Sequence, residues 1–160
     1  PALYRRLGPL FGQTLLAKQK AKTFSHEIEV IRQNAHNQPE ITVFYEIWED
    51  PLMTLSGKHM VSDAISICGG KNIFEDIVPV APLISLEAVV AADPQVIVTS
   101  GSVEGLQNWR SRWSRWAGMQ AVKNQHLYMV APDLLLRQSG RLLEGVKSLC
   151  DKIQKARSLT

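Results

Sequence analysis

Between residues 13 and 34 the chain has no Gly or Pro, and Ala17, Ala21, Phe24, Ile28 and Ile31 step by four and three. That spacing predicts one long helix with a single buried face. At about 1.5 Å per residue, a helix of about 20 residues spans about 30 Å, the length of a strut across a domain. Ahead of it, residues 1–12 carry Leu3, Leu7 and Leu10 and read as a short helix broken by Gly8-Pro9 and Gly12. After the polar break 34–40 the period changes. Ile41-Thr-Val-Phe-Tyr-Glu-Ile47 is β-branched and aromatic, the pattern of a strand.

A turn-rich stretch from Glu49-Asp50-Pro51 to Ser56-Gly57 leads into a helix with Val61, Ala64, Ile65 and Cys68 on one face, stopped by Gly69-Gly70. Ser85 reads as the N-cap of a short helix over 86–92 that ends at Asp93-Pro94. Residues 95–99 form a second strand, apolar enough to be buried on both faces. A helix over about 103–116, a third strand over 126–130 and a last helix over about 137–155 complete the chain. The last helix turns Leu142, Leu143, Val146, Leu149, Cys150 and Ile153 toward the core. Strands alternating with helices predict an α/β fold with a mostly parallel sheet and helices on both faces. Ligands in such folds sit beyond the carboxyl ends of the strands, here at residues 47–50, 99–101 and 131–133.

With 160 residues, 45% hydrophobic and 21% charged, the chain is long enough for one well-buried core and is not disordered. A net charge of +3 is too mild to argue for nucleic acid. No apolar run approaches the roughly 18 residues that cross a bilayer. The chain opens at Pro1 without a charged-then-apolar leader, as a processed or truncated product would.

Enzyme signatures are missing: no GxGxxG, Walker loop, HExxH or GxSxG occurs. His26, His36, His59 and His126 lack metal-ligand spacing and read as solvated or packed residues. Neither catalysis nor a metal site is expected. Trp109, Trp113 and Trp116 fall at helical spacing beside Arg110, Arg112 and Arg115. One reading is a basic aromatic patch for nucleic acid or membrane. The favoured one is a helix whose indoles pack on the sheet while the arginines meet water. Cys68 and Cys150 lie on apolar helix faces, and spacing alone does not choose between free thiols and a bridge.

Several segments together resemble one family. Phe44-Tyr-Glu-Ile-Trp-Glu-Asp-Pro-Leu-Met-Thr-Leu-Ser-Gly57, Ser62-Asp63 and Cys68-Gly-Gly-Lys-Asn-Ile-Phe74 are similar to stretches of the periplasmic vitamin B12-binding proteins of ABC importers. So are Ser85-Leu-Glu87-Ala-Val, Ala92-Asp-Pro-Gln-Val-Ile97, Trp113 with Trp116, and Pro132-Asp133 with Arg137. The wider class carries siderophores, haem and metals between two α/β lobes joined by one rigid helix. The resemblance implies that residues 1–12 are the remnant of an N-terminal lobe, 13–36 the connecting helix and 37–160 the C-terminal lobe. The chain then reads as half of a clamp whose missing half is the N-terminal lobe.

The same resemblance implies a periplasmic binding protein, not an enzyme, with cobalamin or another corrinoid as transported ligand and no cofactor. Its partner would be the permease of the importer, its only route to the membrane. Trp48, with Tyr45 or Ile47 nearby, would offer the corrin a rigid apolar face, or else pack within the lobe. Asp133 and Arg137 would meet the amide-rich periphery and orient each other at their i, i+4 spacing; Asp133 also suits a helix N-terminus. Ala81 stands where the family commonly carries a Trp against the ligand. Glu87, in the first turn behind Ser85, matches the acidic residue that docks to arginines of the permease. The resemblance also places a bridge between Cys68 and Cys150. Alternatives are a siderophore or haem, for which Tyr45 and His59 are the only candidate axial ligands, and a truncated α/β interaction domain that binds nothing.

Overall fold

The computed structural model describes residues 9, 12–101, 103–136 and 141–158. Most of the expected remnant 1–12, and Arg137, lie outside the described residues. The long helix α1 (Thr14–Ala35) forms as its spacing requires: Ala17 and Ala21 are buried, and Ile28 and Ile31 pack against the core. Five strands follow: β1 (Ile41–Trp48), β2 (Met53–Thr54), β3 (Gly70–Asn72), β4 (Val96–Ser100) and β5 (Leu127–Val130). Between and after them lie α2 (Met60–Ile67), α3 (Leu86–Ala92), α4 (Val103–Trp113), α5 (Gln120–Lys123), α6 (Pro132–Leu135) and α7 (Leu142–Arg157).

The sheet runs β2-β1-β4-β5, with β3 pairing parallel to the first residues of β1. Among the described residues β1, β4 and β5 are mutually parallel and only β2 is antiparallel, so the fold is α/β with a mostly parallel sheet flanked by helices. Side chains on a strand alternate between faces, and β1 shows the consequence. Ile41, Val43 and Tyr45 face a core built with α2 and α7, to which Val61, Ile65, Leu149 and Ile153 contribute. Phe44 faces the opposite core, made with Val89 of α3 and Trp109 and Trp113 of α4. Both faces of the sheet are thereby covered, and β4 is buried over Val96, Ile97, Val98 and Thr99.

Some boundaries differ from the sequence reading, each for a local reason. The described part of the helix expected over 137–155 is α7, which runs two residues further to Arg157; residues 137–140 lie outside the described residues. Ahead of it stands the short α6, where Pro132 takes the first position and its missing N–H costs nothing. α4 ends at Trp113, so Trp116 is not on its face; its N–H turns back to Trp113 O at 2.9 Å. β5 begins one residue later than expected. Gln125 adopts φ 58°, and the N–H of His126 closes that turn on Ala121 O at 2.8 Å. β2, β3 and α5 are two to four residues long, too short for periodicity to announce.

Two links tie distant parts of the lobe. Cys68, just past α2, is disulfide-bonded to Cys150 of α7 with Cα atoms 4.8 Å apart. Arg157 reaches back from the end of α7 to the carbonyls of Pro39, Cys68 and Gly69 at 2.8, 3.0 and 2.6 Å. Cationic groups at such orphan C-terminal carbonyls satisfy acceptors that the helix leaves open. Among the described residues no helix is long and apolar enough to cross a membrane.

Candidate functional site

Strand order reverses between β1 and β4: β1 leads through α2 to β3 on one side, and β4 through α4 to β5 on the other. At such a switch point the connecting loops diverge and leave a crevice beyond the strand ends. A groove of about 450 Å³ lies there, lined by the ends of both strands, by Trp109 of α4 and by Met129 of β5.

Trp48 stands at its edge. It is the last residue of β1 and is 61% exposed, with its indole N–H donating to Asp50 O at 2.8 Å. That bond fixes an apolar face outward rather than into the core, as the position at the strand end suggests. Ile47 also lines the groove and is half-buried. Residues 80–84 run beside β2, with Thr54 N–H donating to Pro82 O at 3.2 Å and Ser56 N–H to Val80 O at 2.9 Å. Ala81 is exposed within it.

Glu46 occupies the floor. Its position on β1 turns it to the same face as Phe44, into the layer of α4, and it is only 2% exposed. A carboxylate so placed demands partners. It accepts from the indole N–H groups of Trp109 at 3.0 Å and Trp113 at 2.8 Å, and from the Arg112 guanidinium. Arg112 Nε lies 3.2 Å from a Glu49 carboxylate oxygen, so one guanidinium bridges the floor and the rim. That approach has ion-pair distance without hydrogen-bond alignment. Burial pushes the Glu46 carboxyl above its ordinary value, while the Arg112 charge and the two indole donors pull it back.

Tyr45 corrects the expectation that it contacts a ligand. It points to the opposite face from Glu46, has no exposed surface and shares a hydrogen bond with Ser100 Oγ. Burial pushes its phenol up to about 12, partly offset by that bond. It supports β1 and β4 from beneath. Asp133 sits in the first turn of α6, as its N-terminal preference implies. It pairs with Arg141 at 2.6 Å and does not line the groove. Its expected partner, Arg137, lies outside the described residues.

His59 is the N-cap of α2, accepting the Val61 N–H on Nδ1 at 3.2 Å, and burial lowers its pKa. Glu87 is exposed in the first turn of α3, where Ser85 Oγ caps the Ala88 N–H at 3.2 Å. Among the described residues no group of three or more His, Cys, Asp or Glu is placed to hold a metal ion.

The Trp-Arg run packs as the favoured reading expects only in part. Trp109 and Trp113 are buried on the sheet. Two of the arginines are engaged: Arg112 with Glu46, and Arg110 with Leu127 O at 3.1 Å. Sequence reasoning missed Glu46, although an acidic residue on a core-facing strand position is itself a signal. Its partners stood in the i, i+3, i+4 spacing of Trp109, Arg112 and Trp113.

Residues 3–134 match the sequence family described as periplasmic binding protein. A vitamin B12-binding protein of Vibrio cholerae serotype O1 (strain ATCC 39541 / Classical Ogawa 395 / O395) is 35% identical over 143 residues, which are 88% of this chain and 50% of the relative. The crystal structure of a periplasmic vitamin B12-binding protein of Vibrio cholerae superposes with a TM-score of 0.77 at 31% identity, over 89% of this chain and 55% of that one. A periplasmic haem-binding protein in complex with two haems superposes with a TM-score of 0.80 at 15% identity, over 98% and 61%, a likeness of fold alone. The chain spans about half the length of the curated relatives it matches. Each of these relatives is described as a binding protein. By sequence and by fold, the chain belongs to the periplasmic binding protein family.

Proposed function

We propose that this chain is the C-terminal lobe of a substrate-binding protein that captures cobalamin or a similar corrinoid in the periplasm and delivers it to the permease of an ABC importer. The observation that carries the reading is the outward-held indole of Trp48 beside a groove at the sheet's switch point. A flat corrin needs such a rigid apolar face. Similarity to vitamin B12-binding proteins supports the ligand class. Residues 13–36 act as the connecting helix, and an N-terminal lobe, of which 1–12 is the remnant, supplies the opposite wall. Asp133 and Arg137 meet the ligand's amides at the rim, and Ile47 extends the apolar wall. Glu87 projects from α3 toward arginines on the permease, where a rim carboxylate supplies register and on-rate.

Haem is less well supported. Of its two candidate axial ligands, Tyr45 has no exposed surface and His59 is committed to its own helix. Absorbance titrations with cyanocobalamin and with hemin, on this chain and on a version completed with an N-terminal lobe, test the reading. Saturable spectral change with cyanocobalamin, tighter in the completed protein and weakened by Trp48→Ala, is expected. Saturation by hemin alone, or cobalamin binding indifferent to Trp48, would overturn it.

A further inference from the structure

We propose that Glu46 is the positioning residue of the groove, and that the wall it builds sorts ligands by charge, accepting uncharged or cationic ones and repelling those that present carboxylates. This rests on the reading of the groove as the ligand site and goes further, to the ligand's electrostatic class. The carboxylate is buried and receives three different donors, which fill most of its acceptor sites and fix its orientation. Two are indole N–H groups, and one of those indoles, Trp109, forms part of the groove lining. Indole donors leave no residual positive charge at the wall. The third donor, Arg112, is shared with Glu49, so two carboxylates hold one guanidinium. Asp50 adds a further carboxylate, and among the described residues no Lys or Arg lines the groove.

Among the described residues the field beside Trp48 is therefore negative, although the whole chain carries a net +3. Glu49 is exposed and Arg112 mostly covered, so what a ligand meets is the acceptor and not the guanidinium. Outward acceptors suit a periphery of amide N–H groups. They oppose a dicarboxylate such as hemin. Glu46 sets this up: removing its charge would free Arg112 to turn toward the mouth and would unpin Trp109.

The test needs no ligand. Trp109 and Trp113 are buried, so Trp116→Phe leaves Trp48 as the exposed indole and Trp48→Phe leaves Trp116. Fluorescence quenching by caesium and by iodide at low ionic strength, each normalised to N-acetyltryptophanamide, reads the charge beside each ring. At Trp48, caesium should quench at least twice as well as iodide. At Trp116, next to Arg115, the preference should reverse. Glu49→Gln with Asp50→Asn should bring the Trp48 ratio near one. Equal quenching by the two ions at Trp48 in the unsubstituted rim would overturn the charge assignment.

For positioning, indole ¹H–¹⁵N spectra should show the Trp109 and Trp113 N–H groups as the two most downfield and best protected of the four, as charge-assisted bonds require. Glu46→Gln should move these two and leave Trp48 and Trp116 in place. Unmoved Trp109 and Trp113 signals would overturn the role of Glu46. If that variant does not fold, the unsubstituted protein's spectrum decides alone, and ordinary positions for both signals would overturn it. Should cyanocobalamin fail to bind while the caesium preference and indole signatures hold, the corrinoid reading falls and this assignment stands. Cobalamin binding with an iodide-preferring Trp48 would have the opposite meaning.

Discussion

Gly145→Ala and Gly105→Ala make the same chemical change in two helices and should move stability in opposite directions. In a helix, Ala is favoured over Gly by about 0.5–1 kcal/mol, because Gly loses more backbone freedom on folding. At Gly105 in α4 nothing lies within 4 Å of the new Cβ, so a gain of a few tenths to about 1 kcal/mol should appear. At Gly145 in α7 the Cβ would sit 2.5 Å from the carbonyl oxygen of Leu134, 2.8 Å from its carbonyl carbon and 2.9 Å from its Cβ. The obstacle is mostly backbone of α6 and cannot swing aside as a side-chain end does. Forcing one extra carbon into such a contact costs about 1–3 kcal/mol, which exceeds the propensity gain. A net loss of about 1–2 kcal/mol is expected, or a fall in Tm of about 3–8 °C, against a rise of up to about 4 °C for Gly105→Ala. Urea and thermal unfolding followed by far-UV circular dichroism measure both. Because α6 carries Asp133, its displacement should also weaken the pairing of Asp133 with Arg141. A Gly145→Ala protein as stable as the parent would mean that α6 and α7 do not approach so closely, and would refute the packing argument.

The Tyr45 phenol is raised in the folded protein above its ordinary value of 10.0 to about 12, so it contributes stability in full below pH 10 that is lost as pH climbs toward 12. The two-unit shift corresponds to about 2–3 kcal/mol, and Tyr45→Phe should flatten that part of the stability–pH curve; equal alkaline slopes for both proteins would contradict it. Alkylation and intact mass of the folded, unreduced protein should find no free thiol. Replacing Cys68 and Cys150 by Ser should cost up to about 4–5 kcal/mol for the 82-residue separation, and an undiminished urea midpoint would refute that. Glu87→Ala, in a protein completed with an N-terminal lobe, should cost no more than about 1 kcal/mol of stability and leave ligand affinity unchanged while lowering uptake; a fall in affinity with normal uptake would place Glu87 in the cleft instead.

Long elements with a single period were legible in the sequence because burial on one face writes itself into the spacing. The steps of α1 and the β-branched run of β1 are examples, and so is the cap at Ser85. Short elements were not. β3 is three residues begun by Gly70, where any Cβ would press to 3.0–3.2 Å from Ile65, Val43 and Ile153, a tertiary condition invisible to local pattern. At the site, Trp48 was placed by its position at a strand end. Tyr45 was misjudged because adjacent strand residues face opposite ways, so it and Trp48, three apart, were not constrained to share one surface. Glu46 was missed because its meaning depends on a helix more than sixty residues later.

The distribution of uncovered apolar surface gives the half-clamp reading a physical consequence. Trp48, Val78, Val80 and Leu83 are exposed on and beside the strand ends, more apolar area in one region than scattered surface residues provide. Leu15 and Leu16 are exposed at the start of α1, while farther along the same helix Ile28 and Ile31 enter the core and Glu27 pairs with Lys147 of α7 at 2.6 Å. The helix is thus anchored to this lobe along its later turns, while Leu15 and Leu16 stay exposed at its start. A second lobe attached there, as the proposed function requires, would ride on a strut already fixed to the wall that carries Trp48. The groove itself, braced by Glu46, Trp109 and Tyr45, would meet the ligand with its geometry already set.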